Sequence, residues 1–578
     1  MIFFEKHITS LAFEFFRKNV KTLSNYQNTN NLTKKVCGIN DFFASQIEAI
    51  ELLEKIKNPS SIASDPDRRE YGDFQTNENL ASQVAKYAFS KDTDFEFLLE
   101  PTCGKGNFIL AAIKQSKSLK KVVGIEIYQP YIWEIKFKIL NHFLQNKSAQ
   151  KPEIDILHRN AFEFSYEKLA NSTKDLKTLI IGNPPWVTNS ELGSIDSKNL
   201  PKKSNFKKLN GVEAITGKGN FDIGECISLK ILNCFQNHNG VFAFLIKNSV
   251  IKNIIQDQKR NFYKIGKFEK LNIDSKKEFN VSVNASLFTA QLNSAPDLTC
   301  KELDFYSKQH ITNFGWYKDK FVYSVKDYDK SSIIDGESIF TWRSGVKHDC
   351  SKIMEFEQIN GHYTNGLGEN FSIENNLIYG LLKSSDLKEQ QTNSYRKLTI
   401  ITQKKIGQET KYIKDKFPLT FQYLKSHRAY FEKRKSSIYK DKPNYSIFGI
   451  GDYSFAKYKI GISGLYKSTH FTLIRPDKSK PIMLDDTCYS IGFDRLVFAQ
   501  IAHYLLNSDL VQRFLKSIIF SDSKRSINKD TLMRIDFSKA FENLDFKIAK
   551  KYIKALSLDD WSEFGTMIKS DTHSKLNT

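Results

Sequence analysis

The run Leu179-Ile-Ile-Gly182-Asn183-Pro184-Pro185-Trp186 places an amide, two prolines and an aromatic ring directly after an apolar stretch of strand character. The prolines stiffen the turn and remove two N–H groups, leaving nearby carbonyls without a local partner. An amide side chain beside such carbonyls can hold a planar exocyclic amine, and a Trp can stack on the ring that carries it. The bland alternative is a proline turn capping a strand over a buried Trp. A second run, Phe97-Leu-Leu-Glu100-Pro101-Thr102-Cys103-Gly104-Lys105-Gly106-Asn107-Phe108, reads as strand, glycine turn and helix. Glycines let the backbone approach a ligand, and the helix start offers free N–H groups. Many α/β proteins use such a turn for tight packing alone. Val122-Val-Gly-Ile-Glu126-Ile ends the next strand on a carboxylate. That acid is either an ordinary strand-end residue or the acceptor for both ribose hydroxyls of an adenosine. Turn and acid together favour an adenosine-containing cofactor.

The elements that must position these groups are short apolar runs alternating with segments of helical length. The runs are Phe97–Glu100, Val122–Ile127, Ile154–Leu157, Thr178–Ile181, Val241–Ile246, Leu271–Ile273 and Ala285–Leu292, with helices expected over 107–117, 128–146, 221–236 and 250–265. Such a βαβ series predicts an α/β fold with a Rossmann-like, doubly wound sheet. It sets Asn183 at the carboxyl edge, where these sheets bind ligands. The connection over 274–284 is too short and polar for a crossover helix, so the last strand is expected to run antiparallel. Residues 1–70 read as a helical segment ending in a polar, proline-broken connection. Residues 71–295 read as the chemistry-bearing domain, with a boundary near Asn293-Ser-Ala-Pro-Asp297. Residues 296–578 carry strand-like stretches (449–475) and amphipathic helices (498–519, 540–556), which predicts an α+β domain.

In motif order and spacing, residues 71–292 resemble the DNA adenine-N6 methyltransferases of restriction–modification systems. The resemblance is to the subgroup whose cofactor motif precedes the Asn-Pro-Pro-aromatic motif and whose target recognition domain is C-terminal. It implies S-adenosylmethionine as cofactor. Pro101, Cys103, Gly104 and Gly106 look like the family's cofactor turn, with Glu100 where an acid is usual. Tyr71-Gly72-Asp-Phe74-Gln-Thr76 resembles the segment closing over the methionine end, giving Thr76 a carboxylate contact. Glu126 matches the ribose-binding acid, and Asn160 stands where the family usually has Asp against the cofactor's adenine. Asn183, which also lines the cofactor site, and the Pro184 carbonyl would hold the target amine, in the rigid turn completed by Pro185. Trp186 would stack on a flipped-out base, and Phe279, in Glu278-Phe279-Asn-Val-Ser-Val-Asn284, would form its second face. No metal is implied. Thr341–Asp349 and Ser521–Ser526 look like segments of large members of the family.

Charge fits a polyanion partner. Lys+Arg 86 against Asp+Glu 65 gives +21, spread as +9 over residues 1–300 and +12 over 301–578. The excess of Lys (72) over Arg (14) also suits an AT-rich coding sequence, so composition alone decides nothing. Lys198, Lys202, Lys203, Lys207, Lys208 and Lys218 follow the Asn-Pro-Pro-Trp turn against one acid, Glu213. They suit a phosphate clamp on double-stranded DNA, or a solvated loop. Residues 401–450 hold 12 basic and 4 acidic residues interleaved with aromatics, as groove and phosphate contacts require. Seven scattered cysteines without a CxxC pair suggest neither disulfides nor zinc. With no apolar run of membrane length and no secretory pattern, the expectation is a cytoplasmic, nucleoid-associated monomer, away from membranes. A separate cognate restriction endonuclease is the expected companion. Competing readings are a bifunctional restriction–modification enzyme, an RNA or protein-glutamine methyltransferase, and a catalytically dead DNA-binding subunit.

Overall fold

The structure is a computed structural model that describes residues 10–57, 75–187, 222–466, 468–520 and 525–569. The chain divides into two compact units, Met1–Phe321 and Val322–Thr578.

The first unit is built on a ten-stranded sheet of β1 (Phe97–Glu100), β2 (Lys121–Glu126), β3 (Glu153–His158), β4 (Thr178–Gly182), β5 (Gly240–Lys247), β6 (Ile265–Asn272), β7 (Ala285–Leu292), β8 (Thr299–Asp304), β9 (His310–Tyr317) and β10 (Lys320–Val322). Its order is β10-β9-β8-β6-β7-β5-β4-β1-β2-β3. Strands β1 to β5 pair in parallel. β7 lies antiparallel between β5 and β6, as the short 274–284 connection predicts. β1, β4 and nearly all of β5 are buried along their whole length, so they read as unbroken apolar runs covered on both faces. β3 alternates, as an outer strand should. The strand order switches direction at β1, which opens a crevice at the carboxyl ends of β1 and β4.

The flanking helices that matter here are α1 (Ser10–Lys18), α2 (Tyr26–Cys37), α3 (Gln46–Lys57), α4 (Glu78–Lys91), α5 (Asn107–Gln115), α6 (Gln129–Gln145), α7 (Tyr166–Ser172), α8 (Ile223–Phe235), α9 (Asn248–Asn261) and α10 (Ser275–Phe279). The N-terminal helices belong to this unit. Phe16, Phe42 and Phe43 form an aromatic cluster with Trp133 and Phe137 of α6, with Phe43 and Trp133 centroids 5.6 Å apart. Lys136 of α6, buried in the same layer, donates to the carbonyls of Asp41 (2.8 Å) and Phe42 (2.9 Å), and burial lowers its pKa to about 8. Residues 38–40 also cover the outer edge of β3, where the Ile154 N–H donates to Gly38 and Asn40 to the Ile154 carbonyl. Pairing that edge removes a site for aggregation.

Two sequence expectations differ from the structure. β6 starts at Ile265, well before the apolar run at 271, because its buried face includes Lys270, which is paired to Glu302 at 3.1 Å. The sheet also continues past residue 295: β8 pairs in parallel with β6 and adds β9 and β10, so the first unit ends at Phe321. The Pro296 stretch that suggested a boundary is the short connection from β7 to β8, held against the start of β6 where the Ser294 and Asp297 N–H groups donate to the Lys264 and Ile265 carbonyls.

The second unit combines a five-stranded sheet centred on Tyr458–Ser463 and Cys488–Phe493 with a six-stranded sheet centred on Glu355–Ile359 and Lys397–Ile400. Helices Leu496–Leu506 and Asp509–Ile518 divide the helical stretch expected over 498–519, with Ser508 capping the second. No helix among the described residues is long and apolar enough to cross a membrane.

Candidate active site

The site grows from the loops that leave β1, β2, β3 and β4. After β1 the chain turns through Gly104 (φ +48°) and Gly106 (φ +76°), both left-handed, and enters α5. A Cβ on Gly106 would lie 2.2 Å from Ile135 Cγ1, so this glycine lets the turn pack on α6. A Cβ on Gly104 would lie 2.5 Å from Gln75 Oε1, which accepts the Lys105 N–H at 3.0 Å. Cys103 is buried and donates its backbone N–H to Ile125; burial pushes its thiol far above the ordinary value, which makes it inert as a nucleophile.

Two carboxylates flank the turn. Glu126, at the end of β2, accepts from Gly104 N at 2.8 Å through one oxygen, and from Ile127 N (2.8 Å) and Tyr128 N (2.7 Å) through the other. Glu100, at the end of β1, is buried and accepts from Ile109 N at 3.2 Å. Burial holds its carboxyl well above the usual range, and the nearby Glu126 charge adds to that shift. No ion pair to Glu100 forms among the described residues. After β3, Asn160 Oδ1 accepts from Phe162 N at 2.9 Å, and its carbonyl accepts from Glu163 and Phe164. Asn160 thus shapes its own loop in the manner an Asx turn requires.

After β4 the Asn183 amide donates from Nδ2 to Thr76 Oγ1 at 3.2 Å. Asn107 Nδ2 donates to the Thr76 carbonyl at 2.8 Å, so Thr76 is held between the start of α5 and the proline turn. The turn is pinned from the other side by the start of α8. There Asp222 caps the helix by accepting from Gly224 N (2.9 Å), pairs with Lys247 (2.8 Å), and stands beside Ile223, whose N–H donates to Val187 O (3.1 Å). Trp186 is buried, with its indole N–H on the Leu245 carbonyl at 3.3 Å. Its ring meets Phe279 edge to face, centroids 4.8 Å apart and planes at 70°. Phe279 closes α10. Asp274 caps that helix and Asn280 ends it in a left-handed conformation (φ +56°).

The crevice therefore brings together Thr76, Glu100, Pro101, Cys103, Gly104, Gly106, Glu126, Asn183, Pro184, Pro185, Trp186 and Phe279, with Asn160 on the adjoining loop. Lys202, Lys203, Lys207 and Lys208, with Tyr71, Gly72 and Phe74, lie outside the described residues. Gln75 and Asn107, which lie inside the quoted runs without an assigned role, and Asp222 and Lys247, which lie outside them, also build the site. Asp222 carried a readable signal, an Asp immediately before an apolar helical run. Lys247 carries no local pattern.

These groups fit a cationic adenosine derivative. Two buried acids side by side, with the Glu100 carboxyl raised by burial and by the Glu126 charge, favour a positively charged ligand, and left-handed glycines hold the backbone close beneath it. Thr76 Oγ1 accepts from Asn183 and keeps its own hydrogen for an acceptor on the ligand. Bound there, S-adenosylmethionine supplies a methyl group activated on a sulfonium sulfur.

No family model matches the chain. Over 474 residues it is 38% identical to the type II methyltransferase M.NspV of Nostoc sp., covering 81% of this chain and 96% of that protein. Among solved structures it is similar to the type IIL restriction–modification enzyme MmeI in complex with DNA, at 13% identity and a TM-score of 0.48 over 97% of this chain and 90% of that one. It is also similar to the type IIG restriction endonuclease BpuSI, at 11% identity and a TM-score of 0.32 over 90% of this chain and 68% of that one. By the M.NspV relationship the chain belongs to the type II methyltransferases, the S-adenosylmethionine-dependent enzymes of restriction–modification systems.

Proposed function

We propose that this methyltransferase modifies N6 of an adenine flipped out of double-stranded DNA, at a site chosen by its C-terminal unit. The observation that carries the reading is the Asn183-Pro184-Pro185-Trp186 turn, fastened through Thr76 to the glycine turn and faced by Phe279. Adenine N6 is a poor nucleophile because its lone pair is delocalised into the ring. In this reading Asn183 Oδ1 and the Pro184 carbonyl accept the two amine hydrogens and localise that lone pair toward the methyl group. The Thr76 bond fixes the amide so that its oxygen, not its nitrogen, meets the amine. Positioning and electrostatics carry such a step, and removing one such polar group costs roughly 100-fold or more. Thr76, Glu100, Pro101, Cys103, Gly104, Gly106, Glu126 and Asn160 surround the cofactor in this reading.

The aromatic pair imposes a condition. A base stacked on both faces needs rings about 6.8 Å apart, two layers of the roughly 3.4 Å stacking rise. Trp186 and Phe279 are 4.8 Å apart and nearly perpendicular, so base entry must part and realign them. That motion exchanges an edge contact of about 0.5–1.5 kcal/mol for base stacking of about 1–3 kcal/mol per face. The working form is a cytoplasmic monomer on chromosomal DNA, with Lys202, Lys203, Lys207 and Lys208 at the phosphates and a separate endonuclease cutting the unmodified site. Methylation of a duplex oligonucleotide by the purified chain, with Asn183→Ala as control, tests the reading. Transfer to duplex adenine that falls at least 100-fold in the variant supports it, and equal transfer by both proteins refutes it.

A further inference from the structure

Within the second unit, residues 428–445 enclose a solvent-open cavity of about 400 Å³, room for roughly a dozen waters. Arg434, Lys435, Lys440 and Lys442 line it, and Glu432 is the one acid among the lining residues. Glu432 is already engaged with Arg428 at 2.7 Å. The other four cations form no ion pair among the described residues. Some other cations of this unit do find a carboxylate: Arg534 pairs with Asp335 at 2.6 Å, Lys347 with Asp349 at 3.0 Å, and Lys383 with Glu355.

Arg434 is also fixed in place. Its Nε donates to Phe431 O (3.1 Å) and one Nη to Ser446 O (2.6 Å). Its guanidinium stacks on Tyr439, 3.6 Å from the ring centroid, and the Tyr439 hydroxyl is tied to the Lys347 carbonyl at 3.3 Å. It cannot swing out to seek a carboxylate. Gathering like charges around a fixed guanidinium costs free energy that a bound anion returns. A planar guanidinium with three exposed ammoniums around it suits a tetrahedral phosphate better than a carboxylate.

We infer that this cavity is a phosphate site that takes the sugar-phosphate backbone of the DNA substrate. The inference rests on the reading of the chain as a DNA methyltransferase. A backbone, rather than a free phosphate compound, fits because the cavity is open and the whole 401–450 segment is strongly basic, 12 residues against 4 acidic. A polyanion uses an extended field of that kind. The site adds affinity and register without reading sequence.

The test compares the full-length chain with the variant Lys435→Ala/Lys440→Ala/Lys442→Ala by fluorescence anisotropy on a labelled duplex, from 50 to 200 mM salt. Each lysine–phosphate pair removed should lower the slope of log affinity on log salt by about 0.9, a change of roughly 3.5-fold in relative affinity across that range. Lys→Arg at the same three positions should restore the slope, and cofactor titration should be unchanged in both variants. A wild-type slope in the alanine variant overturns the inference alone. Inorganic phosphate that binds the wild type and not the variant, with the duplex slope unchanged, assigns the cavity to a free anion and overturns the DNA source. Wild-type protein that binds no duplex overturns the DNA reading and this inference together.

Discussion

Gly106→Ala tests whether the turn after β1 is built as described. Gly106 has φ +76°, and a left-handed alanine costs about 1–2 kcal/mol. The added Cβ would lie 2.2 Å from Ile135 Cγ1, 2.3 Å from Cδ1 and 2.8 Å from Cβ. Ordinary carbon contacts are about 3.5–4.0 Å, so the overlap exceeds 1 Å. Ile135 is fully buried in α6, and because its Cβ is also too close, a rotamer change does not relieve the clash. Overpacking of this kind costs about 1–3 kcal/mol, giving a total of about 2–5 kcal/mol. With two units the global melt is not a single transition, so the local readout is hydrogen exchange of the α5 and α6 amides. Their opening free energy should fall by that total, and cofactor affinity should fall with it. Gly368→Ala is the comparator: φ is +82° but nothing lies within 4 Å of its Cβ, so only the conformational cost of about 1–2 kcal/mol should appear. Exchange in α5 and α6 that matches wild type, or a loss no larger than at Gly368, would refute the packing account.

Glu100 should couple cofactor binding to proton release. Its folded pKa lies well above 4.5, so between 4.5 and that raised value the folded protein keeps a proton that the unfolded chain has lost; its contribution to stability is therefore lost as pH rises through that window. A cationic ligand favours the ionised carboxylate, so calorimetric titrations in two buffers of different ionisation enthalpy should give different apparent heats, and Glu100→Gln should make them equal; equal heats in the wild type contradict the account. Phe279→Ala should lower kcat/KM on duplex DNA roughly 5- to 150-fold, the loss of one stacking face worth about 1–3 kcal/mol, with cofactor affinity unchanged; full activity would remove Phe279 from the base slot. Thr76→Ala should reduce turnover roughly 2- to 12-fold by releasing the Asn183 amide, and Thr76→Ser should restore it; failure of serine to rescue would mean the hydroxyl is not what orients Asn183.

The parts of this molecule that were legible in its sequence are those specified locally. β1, β4 and β5 are short apolar runs with both faces covered, and the brief 274–284 connection leaves no room for a crossover, so β7 turns back. The Asn183 turn and the Glu126 strand end announce themselves by residue type. What was hidden depends on distant partners. Thr76 meets Asn183 across 107 residues, and no local pattern marks either as the other's partner. Lys270 disguises a strand because its neutralising Glu302 lies two strands away in sequence, on β8. Pro296 resembled a boundary because a proline-bearing polar stretch serves equally between domains and as a short connection between strands of one sheet. Where the N-terminal helical segment packs was not legible, because the aromatic surface it buries against, on α6, lies about a hundred residues downstream.

The central claim is that the Asn183 turn transfers a methyl group to adenine N6. Mass spectrometry of nucleosides from the DNA of a methylation-free host expressing the chain reads that claim directly. The account predicts N6-methyladenine with the wild type and none with Asn183→Ala. N4-methylcytosine, 5-methylcytosine or no methylated base with the wild type, or undiminished N6-methyladenine with the variant, would contradict it.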